Sequence, residues 1–170
     1  MRITLTLVAA LAVALAIFGC QKKAEEPTAE TAAPAMTVDD AKGRLQAVLE
    51  EVENLRAGAE DQEPSAELAQ SFKDNAAKLE ALHAELAEIE APEADAAAYA
   101  EATAKVEAAL EGVSGLAQLT EIAMDKESKM TVEEVTAVSD KAKAKFIEAC
   151  EYAAPEIAAK MKPPAEEPTP

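Results

Sequence analysis

The sequence predicts an all-α fold: an antiparallel up-down-up-down four-helix bundle between a disordered N-terminal tether and a Pro-rich C-terminal tail. Three observations lead there. The composition leans to Ala, Glu, Lys, Leu and Gln, with five Gly, no Trp and 3% aromatic residues, a bias that favours long helices over strands. Apolar residues recur at three- and four-residue spacing along four stretches. Pro64 and Pro92 fall between stretches and leave connections short enough for antiparallel neighbours. A chain of 170 residues suits one domain with tails. Because Ala buries little area, its core is expected to be thin. A long hairpin assembling into an oligomeric coiled coil satisfies the same pattern and is the competing architecture.

The first helical segment opens at Thr37, an N-cap residue followed three positions later by Asp40, a near capping box. Val38, Ala41, Leu45, Val48, Val52 and Leu55 form a 3-4-3-4-3 seam, and Gly58 is expected to end the helix in a left-handed cap. The second segment, from about Ser65 to Glu90, carries the seam Leu68, Phe72, Asn75, Leu79, Leu82, Leu86 and Ile89, with Asn75 its one polar member. Pro92 disfavours helical geometry at Ala91, so a tight turn is expected there, with a kink in one long helix as the alternative.

The third segment, Pro92–Glu127, places Tyr99, Ala102, Val106, Ala109, Val113, Leu116 and Ala123 on one side. Gly112 and Gly115 stand mid-helix, where each costs up to about 1 kcal/mol relative to Ala, so they call for a close helix approach or a kink. The fourth segment opens on Thr131 and Glu134, a full capping box, and directs Val132, Val135, Ala142, Phe146, Ala149 and Ala153 inward. Pro155 is expected to bend or fray its last turns. Met36-Thr37-Val38-Asp39-Asp40 resembles Met130-Thr131-Val132-Glu133-Glu134, but the likeness stops after one turn, as reuse of a good helix start would leave it.

The formal net charge of −17 argues against nucleic acid and anionic lipid headgroups as partners, since both demand Lys/Arg clusters. It suits a well-solvated surface. His83, the single histidine, lies at the seam's edge level with about Lys42, more than a turn from Met36, and has no second His with which to build a zinc or di-iron site. No Cys-x-x-Cys-His haem motif, twelve-residue calcium loop or Gly-rich phosphate loop is present. The acidic pairs Asp39-Asp40, Glu50-Glu51, Glu133-Glu134 and Glu166-Glu167 fit surface positions and helix starts, where negative charge complements the helix dipole. No catalytic, metal or cofactor site and no enzyme are expected. Cys150 is placed inside the face of Phe146, Ala142 and Ala153, so burial is favoured over an interchain disulfide.

The first twenty residues carry a different signal. Arg2 gives a short positive start, Ile3–Phe18 is apolar apart from two Thr, and the chain turns polar directly after Cys20. This has the shape of an export signal and is shorter than the roughly 20 residues a membrane-spanning helix needs. Ile17-Phe18-Gly19-Cys20 resembles the lipobox of bacterial lipoproteins; Gly19 and Cys20 fit it well, Ile17 stands in for Leu, and Phe18 is bulkier than usual. The resemblance implies diacylglyceryl transfer to the Cys20 thiol, cleavage after Gly19, acylation of the new amino terminus and so a palmitate-type membrane anchor. Gln21 in place of Asp implies sorting to the outer membrane, facing the periplasm, in an enteric-type Gram-negative cell.

The expected organisation is a signal peptide over 1–19, a lipidated flexible tether over 20–36, a bundle over 37–161 and a disordered tail over 162–170. The tether spans on the order of 20 Å as a flexible coil. The function expected by elimination is a membrane-anchored, non-enzymatic binding or scaffold module with an envelope protein as partner. A small-ligand or metal carrier with a site between helices is the alternative.

Overall fold

The computed structural model describes residues 36–60 and 62–162, so the expected signal peptide, Cys20 and the tail beyond Lys162 lie outside it. The described residues form an all-helical bundle: α1 (Val38–Ala59), α2 (Ala66–Ala87), α3 (Ala96–Met124), α4 (Val132–Ala153) and a short α5 (Pro155–Met161). Three starts are set by side-chain caps. The Thr37 hydroxyl accepts from the Asp40 amide while the Asp40 carboxylate accepts from the Thr37 amide; Thr131 and Glu134 repeat the exchange; Ser65 accepts from the Leu68 amide.

Pairs of opposite charge record the direction of each neighbour. Arg44 of α1 reaches Glu85 of α2 at 2.9 Å, and seven residues on, Glu51 accepts from Lys78, seven residues back along α2. Seven residues are two turns, about 10 Å, so α1 and α2 run antiparallel in heptad register. Lys73 with Glu121 orders α2 against α3, and Lys105–Glu148 with Glu111–Lys141 does the same for α3 and α4. Helix α3 is the spine on which α2 and α4 both pack closely, and α1 closes the up-down-up-down bundle against the other three.

One contiguous cluster makes the core, with Leu45, Leu49, Val52, Phe72, Leu79, Leu82, Val106, Val113, Phe146 and Cys150 among its members. The seam of α1 is wider than the heptad reading: Leu49 is fully buried and Val48 only partly so, because a bundle helix faces several neighbours rather than one. Asn75 is buried in its expected place and satisfied within its own helix and by its neighbour. Its amide donates to the Ser71 carbonyl at 3.0 Å and its oxygen accepts from Lys78 at 3.2 Å.

Several local expectations are corrected. Gly58 does not cap α1; the helix runs on to Ala59 and Glu60 follows in right-handed geometry. The expected turn at Pro92 is present, the Asp95 amide bonding the Pro92 carbonyl at 2.9 Å, but α3 begins only at Ala96 rather than at Pro92. Pro155 does not fray α4. It ends the helix cleanly, since Ala154 leaves helical geometry (φ −144°, ψ 64°), and it opens α5 at the first helical position, where its missing N–H costs nothing. A fifth helix is the consequence. Val132 is 79% exposed and Ala123 is exposed, because no residue between Thr120 and Ala142 is buried and the core ends before that connection. The Met36 carbonyl accepts from Tyr99, and Lys162 bonds the Ala158 carbonyl and pairs with Glu151.

Candidate functional site

Cys20 is the single site residue expected from sequence, and it lies outside the described residues. The bundle's chemistry-bearing residues therefore have to be read where the fold places them. His83 is half-buried on α2. The register set by Arg44–Glu85 and Glu51–Lys78 puts it opposite about Gln46, one turn further from Met36 than the Lys42 level expected. The fold brings no partner set to it: among the described residues, no group of three or more His, Cys, Asp or Glu could hold a metal ion.

Cys150 is fully buried, as its helical position predicts, and its thiol is pushed up to about 12 by burial, with Glu53 of α1 and Glu156 of α5 adding negative charge nearby. A thiol so disfavoured as thiolate is a poor nucleophile. The acidic pairs divide by position. Asp40 and Glu134 are spent on their capping boxes, and the Thr37 hydroxyl and amide hold the Asp40 carboxyl below its ordinary value. Glu51 pairs with Lys78. Glu166-Glu167 lies outside the described residues.

One cluster was not expected from sequence. At the end of the bundle where the described chain begins, Tyr99 of α3 donates its hydroxyl to the Met36 carbonyl at 2.9 Å. Arg44 donates to the Met36 sulfur at 3.3 Å and to Glu85. Lys42 lies 5.1 Å from the centroid of the Tyr152 ring of α4. Met36, from which α1 departs, is thus held by α1 and α3, and Arg44 carries the link on to α2. A Tyr with an apolar body and a polar tip at a helix end was the available signal. Its partner, a backbone carbonyl 63 residues away, leaves no mark in the sequence.

The surface offers open depressions rather than an enclosed cavity. The roomiest, about 400 Å³, lies between α3 and α4 and is lined by Glu111, Ser114, Gly115, Val138, Lys141 and Ala142 among others. Neither His83 nor Cys150 lines this depression or those beside Gly58, Ala76, Phe146 and Ile157. Among the described residues no helix is long and apolar enough to cross a membrane. No family model, curated protein or solved structure matches the chain.

Proposed function

We propose that this protein is a bacterial envelope lipoprotein whose helical bundle serves as a non-enzymatic binding or scaffold module, held to the membrane through lipid on Cys20. The observation that carries the reading is Ile17-Phe18-Gly19-Cys20 behind an apolar stretch and ahead of an abruptly polar one. The thiol of Cys20 takes a diacylglyceryl group from a phospholipid, whose headgroup leaves with its phosphate; hydrolysis of the Gly19–Cys20 peptide bond then frees the Cys20 amine, and its acylation completes the anchor. Each buried methylene contributes about 0.8 kcal/mol, so several chains make attachment effectively permanent where one alone is marginal. Gln21 supports placement in the outer membrane, facing the periplasm, in a Gram-negative cell.

Two features of the bundle support the scaffold part. Its apolar seams are consumed in one internal cluster, which leaves polar helix faces as the surface available to a partner. The net charge of −17 favours a partner with basic patches. The direct test is metabolic labelling with palmitate. Wild type should incorporate label and mature, and Cys20→Ser should remain an unlabelled precursor; equal labelling of the two would end the lipoprotein reading. Cross-linking in intact envelopes tests the second part, with recovery of one abundant envelope protein expected and an empty result counting against a scaffold.

A further inference from the structure

Val132 and Cys150 stand 18 residues apart on α4, five whole turns, so their side chains leave the helix in the same direction. Their surroundings are opposite: Val132 is 79% exposed and Cys150 is 0% exposed. Thr136, Ser139 and Lys143, within about 40° of that direction, are exposed as well. The flank becomes buried only from Phe146 onward. It stands about 60° round the helix from Ala153, at the edge of the face turned to the core, where a further helix can add to the cover that the four main helices give.

What changes along the flank is α5. At Ala154 the chain turns back and α5 packs on α4. Its Ile157 and Lys160 line a depression with Glu50, Glu53 and Asn54 of α1, and its Met161 lines another with Ser139, Lys143 and Phe146 of α4. The short helix therefore lies over the groove between α1 and α4, reaching back to about the level at which the flank becomes exposed. The negative charge felt by the Cys150 thiol agrees, since Glu53 reaches it from α1 on one side of that groove and Glu156 from α5 above it.

The attachment of α5 is slight. Ile157 and Ala158 are its buried residues, Met161 packs partly against the core, and Lys162–Glu151 is a half-exposed ion pair that contributes little. No side chain caps its start. Seven residues cannot sustain a helix in water without packing, so α5 keeps its structure only while docked. A single non-helical residue, Ala154, joins it to α4, and Pro155 prevents the two from merging into one continuous helix. Units with few buried apolar contacts open below the free energy of global unfolding.

We propose that α5 is a lid that undocks as a unit while the four-helix bundle stays folded, baring Cys150 and the α1–α4 groove beneath it. The test is thiol labelling of the full-length chain under native conditions at fixed pH, read by mass spectrometry on the peptide that contains Cys150, so that Cys20 does not contribute. Ile157→Ala removes the lid's main apolar anchor and should speed labelling about tenfold or more, with Ile157→Val in between. Leu82→Ala empties part of the core on α2; it should lower the denaturation midpoint yet leave labelling within about twofold of wild type. Equal acceleration by Leu82→Ala and Ile157→Ala would show that Cys150 is reached through global unfolding and would overturn the lid. So would a rate indifferent to both Ile157 substitutions.

Discussion

Gly112 of α3 lies directly against the backbone of Phe146 on α4: a Cβ at Gly112 would stand 2.8 Å from the Phe146 nitrogen and 3.0 Å from its Cα. One turn along, a Cβ at Gly115 would meet the Ala142 methyl at 2.6 Å. The two mid-helix glycines thus resolve the choice between a kink and a close approach. Helix α3 runs unbroken through both, and glycine lets α4 settle against it.

Gly112→Ala is therefore expected to destabilise the bundle by about 1–3 kcal/mol, although Ala is the better helix former. The obstructing atoms belong to backbone and cannot swing aside. Gly58→Ala provides the contrast, because nothing lies within 4 Å of a Cβ there and the residue is helical. It should be neutral or stabilising by up to about 1 kcal/mol. Urea denaturation of both variants checks the pair, and a Gly112→Ala midpoint at or above wild type would disprove the close packing of α3 on α4.

Tyr99→Phe should loosen the start of α1 without disturbing the core. It removes one hydrogen bond to the Met36 carbonyl, worth about 0.5–1.5 kcal/mol, and keeps the ring. Amide exchange should quicken at Asp40 and Ala41, whose N–H groups bond Thr37, and stay unchanged around Leu79 and Val113. Unchanged exchange at the start of α1 would mean that the capping box of Thr37 and Asp40 holds that end by itself.

The bundle was legible because helix periodicity and capping are local, and the sequence states both directly. Thr37 with Asp40 and Thr131 with Glu134 announce two starts, and the heptad spacing of Leu79, Leu82 and Leu86 announces a buried face. What escaped depends on tertiary packing. Leu49 is buried because α1 touches three other helices, a width that no single seam reveals. Val132 has the position of a core residue and lies where the core has run out. Pro155 reads as a helix breaker and also as a first-turn residue; the choice was made by the α1–α4 groove that receives the residues after it. At the candidate site, the burial of Cys150 could be read from the helical wheel, whereas the meeting of Tyr99 and Arg44 at Met36 could not.

Acid should weaken the bundle through carboxylates held by cations. Hydrogen bonds from Arg44 lower Glu85 from its ordinary value, and those from Lys145 and Lys105 lower Glu148. A carboxylate depressed in the folded state adds stability above its unfolded pKa, and that contribution is lost as pH falls through the folded value. Stability should hold from neutrality down to about pH 5 and fall below about pH 4.5. Glu148→Gln should shrink the drop. Arg44–Glu85 is half-exposed and the Glu148 pairs are partly so, and salt should therefore reduce their effect, most for Glu85. A midpoint that stays flat from pH 6 to pH 3 at low ionic strength would refute the assignment.

Alkali should act in part through the buried Cys150 thiol. The Cys150 thiol stands at about 12 in the folded chain against an ordinary value of 9.0, with burial the first cause and Glu53 and Glu156 adding. A raised folded value means that the folded state keeps a proton which the unfolded chain has already released. Stability is then full below pH 9 and falls as pH rises toward 12, with a slope of about 1.4 kcal/mol per pH unit for one proton. Burial raises Tyr152 as well, so the wild-type curve alone does not isolate the thiol. The difference between wild type and Cys150→Ala does. Ala leaves a small void in place of the sulfur and should cost about 1 kcal/mol at pH 7. Above pH 9 the gap should close and then reverse, since the variant has no thiol to hold protonated. Equilibrium urea denaturation at pH 7, 9 and 10 gives the three points required. Parallel curves would mean that the folded protein accommodates the thiolate, which the burial of Cys150 between α1, α4 and α5 forbids.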